Sequence, residues 1–478
     1  MTGRTVVVGN GMAAVRLVEG LVARGVGDVT VLGDEPQAPY NRILLSAVLE
    51  GAHRPEAIAL RPERWYADHG VDLRLGTRAV ALHRSDRQVE LAGGDRVPYD
   101  RLVLATGSIA TLPPIHGVVT PDGRLHERVH AFRHLDDCTR LLAAVEAGVE
   151  RAVVVGGGLL GVQVARALSV RGVATEIVEG GGHLLRTQVD EAAGVVLQRS
   201  LERLGTQVYT GARAVRLTDP PAGAGHGVGL RLDNGYTLGT DVVVLTAGGR
   251  PSTTLARRAG LATRHGVLVD ATLTTSDPRV HAIGDCAEHD GRTTGFVAPA
   301  WEQAGVLADR LAGGTARYAG HRTVARLRAT DLDVAVLGDP AGEERHAAGD
   351  ATTVQVSNPV TGTHRRLVLR DGAIVGATLV GDLSRIGTIT QLFDRGTALA
   401  PGEPSALLMP LRGASSASAA ATALPDDAEV CACAGVSAGR IRACASIDEV
   451  LATTRATTGC GGCSPAVTAL LATAAVRS

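Results

Sequence analysis

Residues 5–36 read TVVVGNGMAAVRLVEGLVARGVGDVTVLGDEP. An unbroken Val run leads into a glycine-rich turn, a helix-patterned stretch and a second Val/Leu run. Continuous apolar runs of this kind are what parallel strands buried on both faces require. The segment is therefore expected to form a strand–turn–helix–strand unit. The same unit returns at residues 151–181, RAVVVGGGLLGVQVARALSVRGVATEIVEGG. After each unit comes a strand pattern ending in glycine, YDRLVLATGS at 99–108 and TDVVVLTAGGRP at 240–251, and then PRVHAIGDCAEHDG at 278–291. The fold class that follows is α/β, built on two such units.

A dinucleotide-binding turn needs small residues for separate reasons. One glycine permits the tight turn, a second lets backbone approach the pyrophosphate, and a third small residue lets helix pack on strand. Free N–H groups at the helix start then hold the phosphates. The first turn supplies Gly9, Gly11 and Ala14, and the second Gly156, Gly158 and Gly161. An acid at the end of the next strand is expected to hold a ribose. Glu35 fits the first unit, with Asp34 an equally close neighbour, and Glu179 fits the second. A carboxylate accepts from a free 2′-hydroxyl and repels a 2′-phosphate. Glu179 is followed by Gly180, Gly181, Gly182 and His183, with no arginine before Arg186, so NADH is favoured over NADPH.

With 478 residues the chain is too long for one core. A formal net charge of -1 offers no basic field for nucleic acid. The N-terminus lacks the shape of a signal peptide, and no apolar run is long enough to span a bilayer. A soluble cytoplasmic protein without membrane contacts is expected. Lysine is absent, which excludes any mechanism that needs an active-site lysine, and aromatics make up only 2%. Both features match a GC-rich genome.

From about residue 320 the pattern alternates and turns at Asp371-Gly372, as in an antiparallel sheet. Residues 401–428, Ala/Ser-rich towards their end, read as a flexible linker. Of the 7 cysteines, four stand beyond it as a CxC and a CxxC: Cys431, Cys433, Cys460 and Cys463. Four thiolates can hold a [2Fe–2S] cluster or a structural zinc ion. The single residue inside the first pair counts against zinc, and so small a unit needs a staple. Cys444 is expected on a helix between the pairs. Cys138 and Cys286 are solitary and expected to be buried.

Two nucleotide units with these strand–glycine endings resemble the two-dinucleotide flavoprotein reductases, from residue 1 to about 315. The resemblance implies FAD in the first unit and the nicotinamide in the second. YDRLVLATG matches the family's ATG motif, ending at Ala105, Thr106 and Gly107. In HAIGDCAE, Asp285 would bind the ribityl chain and Gly284 would let it approach. In PYNRILLS, Arg42 would meet FAD phosphate. The cysteine pair of the disulfide reductases is missing from NRILLSAVLEG at 41–51, so no thiol relay is expected beside the flavin. Gln163 stands where many relatives carry the glutamate of a Lys–Glu pair.

VCACAGVSAGRI and SIDEVLATTRATTGCGGC resemble the [2Fe–2S] domain of bacterioferritin-associated ferredoxin. They depart from it at Ala434, where asparagine is usual, and at Thr457, where glycine is frequent. NGMAAVR, VAPAWEQAGVLADRLAGG and RRLVLRDGAIVGATLVGD resemble the flavoprotein half of the NAD(P)H-dependent nitrite reductase large subunit and the electron-transfer subunits of assimilatory nitrate reductase. The likeness implies an FAD-binding domain at 1–112 and 241–315, an NAD(P)H-binding domain at 113–240, a small α+β domain at 320–400 and the iron–sulfur domain at 429–478. It also implies a relay in which hydride passes from NADH to FAD and electrons go singly to the cluster. A nitrate or nitrite reductase catalytic subunit is the expected acceptor. The sirohaem modules of the full nitrite reductase would follow this stretch, so nitrite reduction itself is expected elsewhere. Two alternatives are a ferredoxin- or rubredoxin-reductase-like flavoprotein serving another acceptor, and a redox- or iron-sensing docking protein.

Overall fold

The computed structural model describes residues 3–220, 227–320, 324–339, 351–409, 424–431, 436–454, 456–457 and 463–474. The chain divides into two compact units: Met1–Arg42, Pro55–Ile109 and Gly249–Arg322 form the first, and Ile43–Arg54, Ala110–Gly248 and Thr323–Ser478 the second.

The first unit is built on a parallel sheet whose order is Val280–Ala282, Arg101–Leu104, Thr5–Val8, Val29–Leu32, Val71–Arg74. Side chains alternate across a strand. Val7 packs on one face with Leu17, Leu21 and Leu307 of the helices Met12–Ala23 and Val297–Leu311. Val6 and Val8 pack on the other with Leu82, Val89 and Val280. Both faces are covered, and this accounts for the unbroken apolar run of the opening strand.

The second unit repeats the plan. Its parallel sheet runs Gln207–Thr210, Ala174–Glu179, Arg151–Val155, Val242–Leu245, Val129–Ala131. Residues 43–54 belong here: the helix Leu45–Glu50 packs on the helices Leu135–Glu146 and Leu159–Val170. A five-stranded antiparallel sheet of residues 324–380 completes the unit. One of its two-residue turns is at Asp371 (φ 50°) and Gly372 (φ 76°), the two left-handed residues of a type I′ hairpin.

Buried charge fixes that sheet to the nucleotide sheet's helices. Asp190 caps the helix Glu191–Arg203 by accepting from Ala193 N–H at 3.1 Å. Its other oxygen faces Arg366 Nη1 at 3.2 Å and His364 Nε2 at 3.4 Å, both fully or almost fully buried. Burial opposes the charge on Asp190, but His364, the Ala193 N–H and Arg366 together hold its pKa below the usual carboxylate range. The stretch read as a linker begins with structure, because Glu403–Leu408 is a helix whose Leu407 and Leu408 enter the core of the antiparallel sheet. Residues 410–423 lie outside the described residues. Among the described residues no helix is long and apolar enough to cross a membrane.

Candidate functional site

Each glycine turn sits where a first sheet strand becomes a helix. Gly9 has φ 110°, and a Cβ there would lie 2.2 Å from the Ala105 carbonyl oxygen. Gly156 has φ 114°, and its Cβ would lie 2.7 Å from the Thr246 carbonyl oxygen. A Cβ on Gly161 would come within 1.8 Å of the Gly156 carbonyl, whereas Ala14 carries its methyl into the core. Gly11 and Gly158 face open space.

Capping differs among the helices, and Val297–Leu311 and Ile386–Arg395 lack a side-chain cap and a first-turn acid. The helix Leu135–Glu146 has a capping box with Asp137, and Glu191–Arg203 is capped by Asp190. The helices that begin after Gly11 and Gly158 have no side-chain cap and no acid in their first turn. Their first N–H groups have no partner in the helix and suit an anion. Asn10, in the first turn, also has both polar side-chain atoms buried without a partner. The residues present therefore fit dinucleotide pyrophosphates at both turns.

The acids differ between the units. Leu32 pairs with Val8 and Val178 with Val155, so Glu179 and Gly33 hold equivalent places, each one residue past that pair. Glu179 accepts from Gly157 N–H and Gly181 N–H, each at 2.7 Å. Arg186, which the sequence leaves several residues away, folds back to 3.6 Å from the same carboxylate. Glu35 lies two residues past Gly33. It accepts from Tyr40 hydroxyl at 2.5 Å and is paired with Arg42, whose guanidinium lies over the Tyr40 ring. Asp34 is exposed.

Around the first turn, Gly107 (φ 63°) follows Ala105 and Thr106, and Thr106 hydroxyl donates to Ser252 carbonyl at 2.9 Å. Gly284 (φ 75°) comes within 3.1 Å of Ala13 Cβ, measured from its would-be Cβ. Asp285 accepts from Ser108 hydroxyl at 2.7 Å. Two residues had no role in the sequence reading. Trp301 Nε1 donates to Met12 carbonyl at 3.0 Å, and Gln303 Oε1 accepts from Gly284 N–H at 2.8 Å. Spaced two apart on one helix, they hold both glycine elements of the first site. The only sequence signal was their occurrence in the WEQ stretch.

Cys138 and Cys286 are fully buried. Burial pushes the Cys138 thiol up to about 11, so it is no nucleophile. In the C-terminal part, Cys431 ends the strand Glu429–Cys431 and Cys463 precedes the helix Ser464–Ala474; both are buried. Cys433 and Cys460 lie outside the described residues. Cys463 carbonyl accepts Val467 N–H at 2.9 Å, and its Sγ accepts Thr457 N–H at 3.1 Å. A buried sulfur that already receives an N–H at a helix start fits a thiolate ligand. Thr457 has φ 70°, a left-handed conformation that glycine adopts without strain. Cys444 was expected on a helix, but the helix Ala438–Arg442 ends before it.

The sequence pattern of the family "Pyridine nucleotide-disulphide oxidoreductase" matches residues 3–304. The chain belongs to this family. Its members use FAD and NAD(P)H, and the chain is an FAD-dependent NAD(P)H oxidoreductase. Residues 324–397 match the "Rubredoxin NAD+ reductase C-terminal domain", and residues 429–473 the "BFD-like [2Fe-2S] binding domain", so the cofactors include a [2Fe–2S] cluster. The chain is 35% identical to "Nitrite reductase [NAD(P)H]" of Bacillus subtilis (strain 168), over 98% of this chain and 57% of that protein. It is 30% identical to the "Assimilatory nitrate reductase electron transfer subunit" of the same organism, over 98% and 59%. It thus spans a little over half the length of these relatives. Among solved structures, the covalent putidaredoxin reductase–putidaredoxin complex aligns with TM-score 0.75 and 24% identity over 88% of this chain and 99% of that chain, a likeness of fold.

Proposed function

We propose that the chain draws electrons from NADH and delivers them to the catalytic subunit of an assimilatory nitrate or nitrite reductase. The observation that carries this reading is the presence on one chain of two uncapped glycine turns and of buried Cys431 and Cys463, one from each cysteine pair. Held at these sites, FAD would supply a hydride acceptor for the nicotinamide and a one-electron donor of the kind a [2Fe–2S] centre requires.

The chain's own residues bind and orient. Gly9, Gly11 and Ala14 admit the FAD pyrophosphate to the first helix start. Glu35 and Arg42 serve its ribose and phosphate, and this requires their mutual contact to open or be shared. Ala105, Thr106 and Gly107 wall the site, and Asp285 accepts a ribityl hydroxyl beside Gly284. Gly156, Gly158 and Gly161 admit NADH, with Glu179 on its ribose. Cys431, Cys433, Cys460 and Cys463 ligate the cluster. No side chain is needed as a general acid or base, and buried Cys138 and Cys286 take no part. The domain limits expected from sequence go with these roles, except that residues 43–54 pack in the second unit and the small domain runs on to Leu408. The cytoplasm, where NADH is made and used, is the place of action.

The test is an anaerobic NADH titration of purified protein, with iron and acid-labile sulfide counted. Flavin bands, about two irons per chain and bleaching of both chromophores support the relay. The acceptor is then tested by NADH-dependent reduction of a nitrate or nitrite reductase catalytic subunit. Flavin bleaching with zinc in place of iron would sink the relay.

A further inference from the structure

The left-handed backbone at Thr457 is not explained by packing alone. A β-branched residue at φ 70° is a genuine outlier, and such strain persists only where surrounding structure holds it. The hold is visible. Thr454 hydroxyl donates to Val450 carbonyl at 2.7 Å and accepts from Ala456 N–H at 3.2 Å, which pins the exit of the helix Ile447–Thr453. Ala456 is fully buried. The next residue is Thr457, and its N–H points to Cys463 Sγ at 3.1 Å. Cys463 is itself fixed by its carbonyl's bond to Val467 N–H.

We propose that Thr457 is a positioning residue for the iron–sulfur centre. Its main-chain N–H, aimed by the left-handed turn, is a fixed hydrogen bond to one ligand sulfur. A donor to a ligand thiolate withdraws charge from the sulfur and favours the reduced, more negative state of the cluster. It therefore raises the midpoint potential and slows loss of the ligand. The proposal rests on Cys463 being a cluster ligand.

The experiment uses the full chain with its cofactors, grown on [15N]threonine, with the cluster reduced anaerobically. Electron spin-echo (HYSCORE) spectra should show a 15N coupling to the cluster. Thr457→Gly keeps the N–H and tolerates the turn, but places an unlabelled nitrogen there. It should keep iron, sulfide and midpoint potential and lose the 15N coupling. Thr457→Pro removes the donor. It should lower the midpoint potential and speed chelator-driven cluster loss about tenfold, as expected for one hydrogen bond to a charged group. Where the proline variant does not fold, the labelling result decides alone. A cluster without 15N coupling, a coupling that survives in Thr457→Gly, or an unchanged potential in a folded Thr457→Pro overturns the proposal and leaves the ligand assignment intact. Protein that binds no iron at all overturns both.

Discussion

The two glycine units share strand order, turn geometry and uncapped helix, yet they complete their sites differently. In the second unit the acid stands directly at the strand end, and Glu179 closes on the turn through Gly157 N–H. In the first, Gly33 holds that place, and the acid two residues on is paired with Arg42. The second unit also takes its fifth strand, Val129–Ala131, from just before the unit. The first takes Val280–Ala282 from far beyond it. One site is thus assembled locally, and the other draws on Arg42, Asp285, Trp301 and Gln303.

The largest expected break is at the third small residue. Gly161→Ala drives a methyl into the Gly156 carbonyl, so it should cost more than the about 1–3 kcal/mol of ordinary overpacking. NADH should no longer bleach the flavin, while flavin content stays near normal. Ala14→Gly in the first unit should cost only about 1–2 kcal/mol, from helix propensity and one buried methyl, read by thermal unfolding.

Next comes the buried charge cluster around Asp190 in the second unit. Asp190→Asn keeps a good helix cap but removes the carboxylate charge that faces buried His364 and Arg366, at a cost of about 3 kcal/mol. The sign with pH follows from the lowered pKa of Asp190. Its stabilisation is complete above the ordinary carboxylate value of about 4 and is lost as pH falls below it. Denaturant midpoints measured from pH 7 downward should therefore fall for the wild type and change less for Asp190→Asn.

A finer distinction lies between the acids. Glu179→Gln should raise the KM for NADH about tenfold, the scale of a charged hydrogen bond, without loss of flavin. Glu35→Gln should do the reverse, weakening flavin retention and leaving the KM for NADH unchanged. The smallest effect is at Trp301→Phe, which deletes one buried hydrogen bond to Met12 at a cost of about 1 kcal/mol. It should speed flavin release several-fold and leave the isolated NADH dissociation constant unaltered.

Sequence pattern revealed the locally assembled half best. Gly156, Gly158, Gly161 and Glu179 lie within one strand–helix–strand segment, where period and glycine spacing constrain them directly. The first turn was legible for the same reason. The pairing of Glu35 with Arg42 was not, because it depends on how residues 36–42 fold back. Trp301 and Gln303 were read only as part of a resemblance, since their partners Met12 and Gly284 are fixed by packing rather than by spacing. Residues 43–54 followed the first unit in sequence but pack with the second, where Arg171 binds Leu49 carbonyl and Cys138 Sγ approaches Leu45 carbonyl at 3.4 Å. The small domain's extension to Leu408 was hidden by its position just ahead of the Ala/Ser-rich run.

The distant origin of Val280–Ala282 also bears on synthesis. As the chain leaves the ribosome, the Arg101–Leu104 strand can pair with Thr5–Val8 on one side, but its other edge stays open until the entire second nucleotide sheet has been made. An open apolar edge is a template for wrong pairing between chains. The nascent protein is thus most exposed to aggregation during that interval, and slower translation there would lengthen the risk.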